Sequence, residues 1–332
     1  MRIQIICPAP PGTLYGNRIT ALRWAGILKG LGHRVRIALV YEGEPCDLLI
    51  ALHARRSADA VFRFRDCYPE RPLIVALTGT DLYRDLRRNR RARRVLELAT
   101  RLVVFQPLAL KKLPPRLRRK TRIIYQSVER TKRPAREDAR RGVPSRADFF
   151  DVVVAGHLRK VKDPFRAALA SRCLPASSRI RVLQAGTAME PAMARRARAE
   201  ERGNLRYRWL GGLSRAKARR LMASSRLLVL SSFMEGGANV ISEALVDHLP
   251  VLASRIPGSV GLLGAGYPGY FPVGDTKALA RLLRRAETDR QFYARLKSWC
   301  SERAPLFRPA RERAGWKNLL AEPQSRTQEL QS

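Results

Sequence analysis

Two glutamates eight positions apart, Glu235 and Glu243, mark the most chemically suggestive stretch of the chain, LLVLSSFMEGGANVISEALVDHLPVLASRIPGS (227–259). Its pattern predicts a strand, a glycine-rich turn, a helix starting near Asn239, and a further strand. Free backbone N–H groups at such a helix start carry about half a positive elementary charge and suit a diphosphate. Gly236 and Gly237 lack a β-carbon and let a ligand approach the backbone closely. Glu235 in the loop and Glu243 one turn into the helix can accept hydrogen bonds from different hydroxyls of one sugar or ribose. Each such bond to a charged acceptor contributes about 1.5–3 kcal/mol. On the pair alone, a solvated helix residue and a turn residue remain the alternative.

Basic side chains follow another predicted strand. The segment AGHLRKVKDP (155–164) brings Arg159, Lys160 and Lys162 to the carboxyl end of FFDVVVAG (149–156), where open α/β sheets bind ligands. A solvated basic loop is the competing reading. The turn-rich PAPPGTLYGNR (8–18) carries Gly16, Asn17 and Arg18 at the tip of the first loop, where they serve an anionic ligand or, equally, a turn and a helix cap. His53 stands at a strand end, to face a ligand or simply to close the strand.

The elements that must hold these groups alternate short apolar runs with amphipathic helical spacing, the rhythm of parallel sheets with crossover helices. Residues 2–7 read as a buried strand, 20–31 as a helix closed by Gly32, and VRIALV as the second strand. Further strands are predicted at 47–53, 73–78, 102–106 and 122–127, giving a Rossmann-like domain. VERTKRPAREDARRGVPSRAD (128–148) has the charged, proline-containing composition of a linker. A second series follows with strands at 149–156, 180–184, 207–210, 227–230 and 251–253. The expected organisation is an N-terminal domain with linker over 1–148, a C-terminal domain over 149–305, and a helix and tail over 306–332 that crosses back to the first domain.

Composition narrows the class. A chain of 332 residues with 45% hydrophobic content has the size of two domains with real cores. The cysteines, Cys7, Cys46, Cys67, Cys173 and Cys300, show no metal or redox spacing. No apolar leader opens the chain and no apolar run reaches the roughly 18 residues of a membrane span, so a cytoplasmic location is expected. A formal net charge of +37 attracts anionic ligands. No zinc finger, RNA-binding aromatic signature or basic zipper is present, and nucleic acid is not expected as a partner. RDLRRNRRARR (84–94) and KKLPPRLRRK (111–120) suit peripheral contact with an anionic membrane surface, with solvated arginine as the alternative.

YRWLGGLSRAKARRLMASSRLLVLSSFMEGGANVISEAL resembles the donor-binding half of retaining GT-B glycosyltransferases related to glycogen synthase and sucrose synthase. The resemblance implies an α/β fold of two Rossmann-like domains with parallel sheets facing a central cleft. It also implies a UDP-sugar co-substrate and no metal or other cofactor. By the same resemblance Glu243 holds the ribose diol, Glu235 touches donor-sugar hydroxyls, and Gly236, Gly237 and Ala238 bind through backbone N–H, with Asn239 and Leu210 completing the donor set. Lys162 matches the family's lysine at the leaving diphosphate. His157 occupies the usual arginine position, and Arg159 two residues on supplies that charge. Where the family often carries a histidine, Thr78 stands in VALTGTDLYRDL. The set PAPPGTLYGNRITALRWA, LLIALHARRSA, VALTGTDLYRDL, VAGHLRKVKDP and SSFMEGGANVISEAL is most similar to the selenosugar synthases of bacterial selenoneine biosynthesis. That likeness implies transfer of N-acetylglucosamine or glucose to the selenium of selenophosphate, with Gly16, Asn17, Arg18 and Thr78 at the acceptor.

Overall fold

The computed structural model describes residues 1–13, 15–131 and 149–322. Two compact units emerge. Unit 1 contains the chain to Ser127, the short segment Glu235–Gly237 and the C-terminal helix Pro309–Ala321. Unit 2 contains the described residues of Val128–Met234 and Ala238–Arg308. Of the expected linker, residues 132–148 lie outside the described ones.

Unit 1 is built on six parallel strands: β1 Arg2–Ile6, β2 Arg34–Ala38, β3 Leu48–Leu52, β4 Leu73–Ala76, β5 Arg101–Val104 and β6 Thr121–Ile123, in the order β2-β1-β3-β4-β5-β6. The central β3, LLIAL, is buried at every position because helices cover both faces. Its side chains alternate between two cores. Leu48, Ile50 and Leu52 join Trp24 and Trp316 on one face, while Leu49 and Ala51 join Val61 and Phe64 on the other. The edge strand β2 alternates basic and apolar residues and is only partly buried.

The helix Pro309–Ala321 packs on the helix Gly16–Gly30 through the Trp24–Trp316 edge contact, with ring centroids 4.7 Å apart. Glu312, 2% exposed, sits at this junction. Its carboxylate accepts from Trp24 Nε1 at 2.7 Å and from Ser127 N at 2.7 Å, and pairs with Arg23 Nε at 3.0 Å. The helix Gly16–Gly30 starts four residues earlier than its apolar spacing predicts. Its first turn, Gly16-Asn17-Arg18-Ile19, is largely polar, so periodicity does not register it.

Unit 2 repeats the plan with β7 Phe150–Ala155, β8 Ile180–Ala185, β9 Tyr207–Trp209, β10 Leu227–Leu230, β11 Val251–Ser254 and β12 Tyr270–Phe271. The order is β12-β11-β10-β7-β8-β9, again all parallel. The chain leaves β7 for β8 on one side and returns to β10 on the other, so a topological switch point opens between β7 and β10. Helix starts are fixed by short polar caps: Ser214 accepts from Lys217 N, Asp275 from Ala278 N, and Asp289 from Phe292 N. Among the described residues no helix is long and apolar enough to cross a membrane.

Candidate active site

In unit 2 the loops after β7, β8 and β10 converge at the switch point. Gly186, after β8, approaches the backbone after β7 so closely that an added Cβ would stand 1.9 Å from the Gly156 carbonyl oxygen. Only hydrogen fits there. Gly186 N donates to the Gly211 carbonyl at 2.8 Å, which draws in the loop after β9. Leu210 on that loop is 40% exposed, an apolar side chain offered to solvent at a strand end.

A small cavity of about 10 Å³ lies beneath these loops, lined by Gly156, His157, Lys162, Gln184, Ser231 and Ser232 together with apolar strand residues. His157 and Lys162, which the sequence reading placed together, do share it. Arg159 lies outside that lining, so His157 is the basic residue that stands with Lys162 there. The turn carrying Lys162, residues 160–162, is stapled to the loop after β10: Ser231 Oγ donates to the Asp163 carbonyl at 2.8 Å, and Phe233 N to the Val161 carbonyl at 2.9 Å. Asp163 takes a left-handed φ of 45° and is held by Arg166 Nε at 2.7 Å. Such a braced turn can present an ammonium to an anion with little reorganisation.

The helix Asn239–Val246 begins where the spacing predicts, with Ala238 as its extended N-cap residue. Glu243 lies on its second turn, its side chain 13% exposed and 4.0 Å from the Arg215 guanidinium. Glu235, Gly236 and Gly237 group with unit 1, where a Cβ on Gly236 would stand 2.4 Å from the Thr78 carbonyl oxygen. Gly236 and Thr78 therefore lie side by side within unit 1.

The rest of the expected acceptor set lies in unit 1 around its own switch point, between β1 and β3. Gly16, Asn17 and Arg18 form the first helical turn rather than a loop tip, since the helix starts at Gly16. The buried Nε of Arg18 has no hydrogen-bond partner among the described residues. Its charge faces Cys7, whose thiol burial pushes up and Arg18 pulls back. Thr78 N donates to Asp81 Oδ1 at 3.0 Å, one of several backbone N–H groups, with those of Ala54, Gly79 and Leu82, collected by that buried carboxylate. His53 does more than end β3: it is 3% exposed, takes a φ of 72°, and its Nε2 lies 2.9 Å from Thr80 Oγ1. Burial holds its pKa below the usual histidine range, against the opposing pull of Asp81.

Gln184 was not singled out by its sequence context, because a lone glutamine near a strand end carries no spacing signal. Nor did Thr80 and Asp81 stand out in the sequence, and their role appears only once β3 and β4 lie side by side. Among the described residues no group of three or more His, Cys, Asp or Glu side chains could hold a metal ion.

Comparison with known proteins agrees with this layout. HepE from Anabaena, solved in complex with UDP and glucose, is 18% identical, with 97% of this chain and 100% of that chain covered and a TM-score of 0.76. Sucrose-phosphate synthase from Thermosynechococcus elongatus is 17% identical over 96% of this chain and 98% of that one, with a TM-score of 0.77. A glycosyltransferase from Rickettsia africae is 12% identical over 97% and 99%, with a TM-score of 0.70. These structures share the fold, two parallel-sheet Rossmann-like domains of the GT-B type. Residues 135–300, half of the sequence, match the model described as glycosyl transferases group 1, and the chain belongs to that family.

Proposed function

We propose that the protein is a UDP-sugar-dependent glycosyltransferase that moves N-acetylglucosamine or glucose to the selenium of selenophosphate. The observation that carries the donor half is the switch-point cavity, where Lys162 and His157 meet beside β10 and the helix bearing Glu243 follows. Binding of UDP with glucose by HepE, a protein of the same fold, supports the same choice of donor. Lys162 is assigned to the leaving diphosphate, where a fixed positive charge stabilises the charge that develops as the glycosidic bond breaks. Glu243 is assigned to the ribose diol, and Glu235 with the backbone of Gly236, Gly237 and Ala238 to the sugar. The domain roles, acceptor in the first and nucleotide-sugar in the second, belong to the same reading.

In the reaction a selenium lone pair forms the new bond to the anomeric carbon while the bond from that carbon to the β-phosphate oxygen breaks, releasing UDP. Net hydrolysis of the selenium–phosphorus bond then gives phosphate and the selenosugar. Selenium attacks without prior deprotonation, so no strong base is required. Thr78, at the place where the resembled family often carries a histidine, is consistent with that demand. Arg18, with its buried Nε free to donate, is assigned with Gly16 and Asn17 to the acceptor phosphate.

A second reading, transfer to a lipid or polysaccharide at a membrane surface, is favoured by the exposed Arg87, Arg88, Arg90, Arg93 and Arg94 on unit 1. Incubation with UDP-N-acetylglucosamine or UDP-glucose and selenophosphate, with mass spectrometry of the products, separates the two. A selenosugar with UDP and phosphate is expected. UDP release only in the presence of lipid extract would overturn the selenium assignment. Turnover should disappear when Glu235→Ala and Lys162→Ala are combined.

A further inference from the structure

The side chain of Gln184 on β8 is 1% exposed, yet neither its Nε2 nor its Oε1 has a hydrogen-bond partner among the described residues. Buried polar side chains are nearly always satisfied, and one left at both ends calls for a reason. Leucine at this place would cost nothing in desolvation. The two orphaned atoms belong to a residue that lines the switch-point cavity, whose other polar walls are His157, Lys162, Ser231 and Ser232. At about 10 Å³ the cavity has room for about one water-sized group.

The chemistry of the amide limits what that group can be. A phosphoryl oxygen only accepts and would leave Oε1 without a donor. An ammonium only donates and would leave Nε2 without an acceptor. An O–H group does both, and a primary amide carries a syn N–H beside its carbonyl on one edge, so a single oxygen can close the pair. We propose that the cavity is a hydroxyl-binding site: Gln184 clasps one O–H group, which donates to Oε1 and accepts from Nε2. The hydroxyl is that of an ordered water or of the donor sugar. This deepens the donor-site reading and rests on it for the identity of the ligand, and it makes Gln184 a positioning residue of the nucleotide-sugar site.

The test is a Gln184→Leu variant, which removes the amide at nearly constant volume and should unfold thermally no earlier than the wild type. Calorimetry with UDP and with UDP-N-acetylglucosamine should show affinity weakened by roughly three- to ten-fold, the net worth of a neutral hydrogen bond. Loss with UDP-N-acetylglucosamine alone identifies a sugar hydroxyl. Loss with both ligands, together with an oxygen in hydrogen-bond range of both amide atoms in a high-resolution crystal structure of the ligand-free wild type, identifies water. Unchanged affinity for both ligands overturns the proposal. If the wild type binds neither ligand, the donor reading itself falls. The crystal structure then decides this one alone: a clasped oxygen upholds it, and a dry cavity overturns it.

Discussion

Replacing Glu312 with alanine should destabilise unit 1 by about 4 kcal/mol, a large part of the roughly 5–15 kcal/mol that holds a domain folded. The figure follows from the carboxylate's partners. Trp24 Nε1 and Ser127 N, both from buried residues, each lose their acceptor at 2.7 Å, at about 1–3 kcal/mol apiece. Arg23, its side chain 12% exposed, loses this counter-ion, and breaking a buried pair costs about 3–5 kcal/mol. These terms share one carboxylate and overlap, so they do not add. Glutamine keeps one carbonyl acceptor and should cost about half as much. Two domains need not unfold together, so the assay is hydrogen exchange read on peptides from 16–30 and 309–321, which belong to unit 1 alone. Alanine should speed exchange there by roughly a thousand-fold, the equivalent of 4 kcal/mol. Exchange within ten-fold of the wild type would refute the reasoning, because it would mean that the helix Pro309–Ala321 is held by its apolar face and not by this carboxylate.

Three further outcomes follow from the same geometry. Glu243→Ala should weaken UDP binding by roughly ten- to a hundred-fold, since it removes a charged acceptor from the ribose diol; calorimetry giving the wild-type affinity counts against that role. Gly186→Ala drives a methyl to within 1.9 Å of the Gly156 carbonyl oxygen, so the loops after β7 and β8 must part, with UDP binding lost and stability down by about 1–3 kcal/mol in a urea titration. His53 has a pKa lowered by burial from its ordinary 6.5, so the unfolded chain takes up the extra proton. Stability therefore rises with pH through that window, and the penalty is absent above about 6.5 and grows below it. Between about pH 7.5 and about pH 5.5, His53→Gln should lose less stability than the wild type, as measured by urea midpoints.

Sequence patterns reached the sheets well because buried parallel strands are continuous apolar runs: Leu48–Leu52, Leu227–Leu230 and Val251–Ser254 lie where those runs do. They missed β12, because two residues, Tyr270 and Phe271, are too few to show a period. The turn at Glu235–Gly237 and the helix from Asn239 were legible from glycine placement and the apolar repeat that follows. The turn around Lys162 was legible as a basic loop and, by resemblance, as the place of the family's lysine, but its bracing was not, since Ser231 and Phe233 arrive about seventy residues later. Gln184, Thr80 and Glu312 acquire meaning from neighbours on other strands or helices, and local spacing holds no trace of such neighbours.

The excess of basic residues also divides once the fold is known. Arg65 is buried and donates to the carbonyls of Leu98, Pro69 and Arg71, closing loop ends that backbone pairing leaves open. Lys120, the last residue of one basic run, is likewise buried and donates to the carbonyls of Glu97 and Ala99. A guanidinium with several donors in a fixed fork suits this task better than a neutral side chain, because it satisfies several carbonyls at once. Composition alone counts such residues as available to anions, whereas in the structure they are interior cross-links. What an anionic partner would meet includes the exposed row from Arg84 to Arg94, partly offset by the Arg91–Asp59 and Arg84–Asp85 pairs, and the exposed Lys111, Lys112, Arg116, Arg118 and Arg119 of the other basic run. Net charge therefore overstates the field at any one surface, and the strength of attraction depends on which basic residues are exposed together rather than on the total.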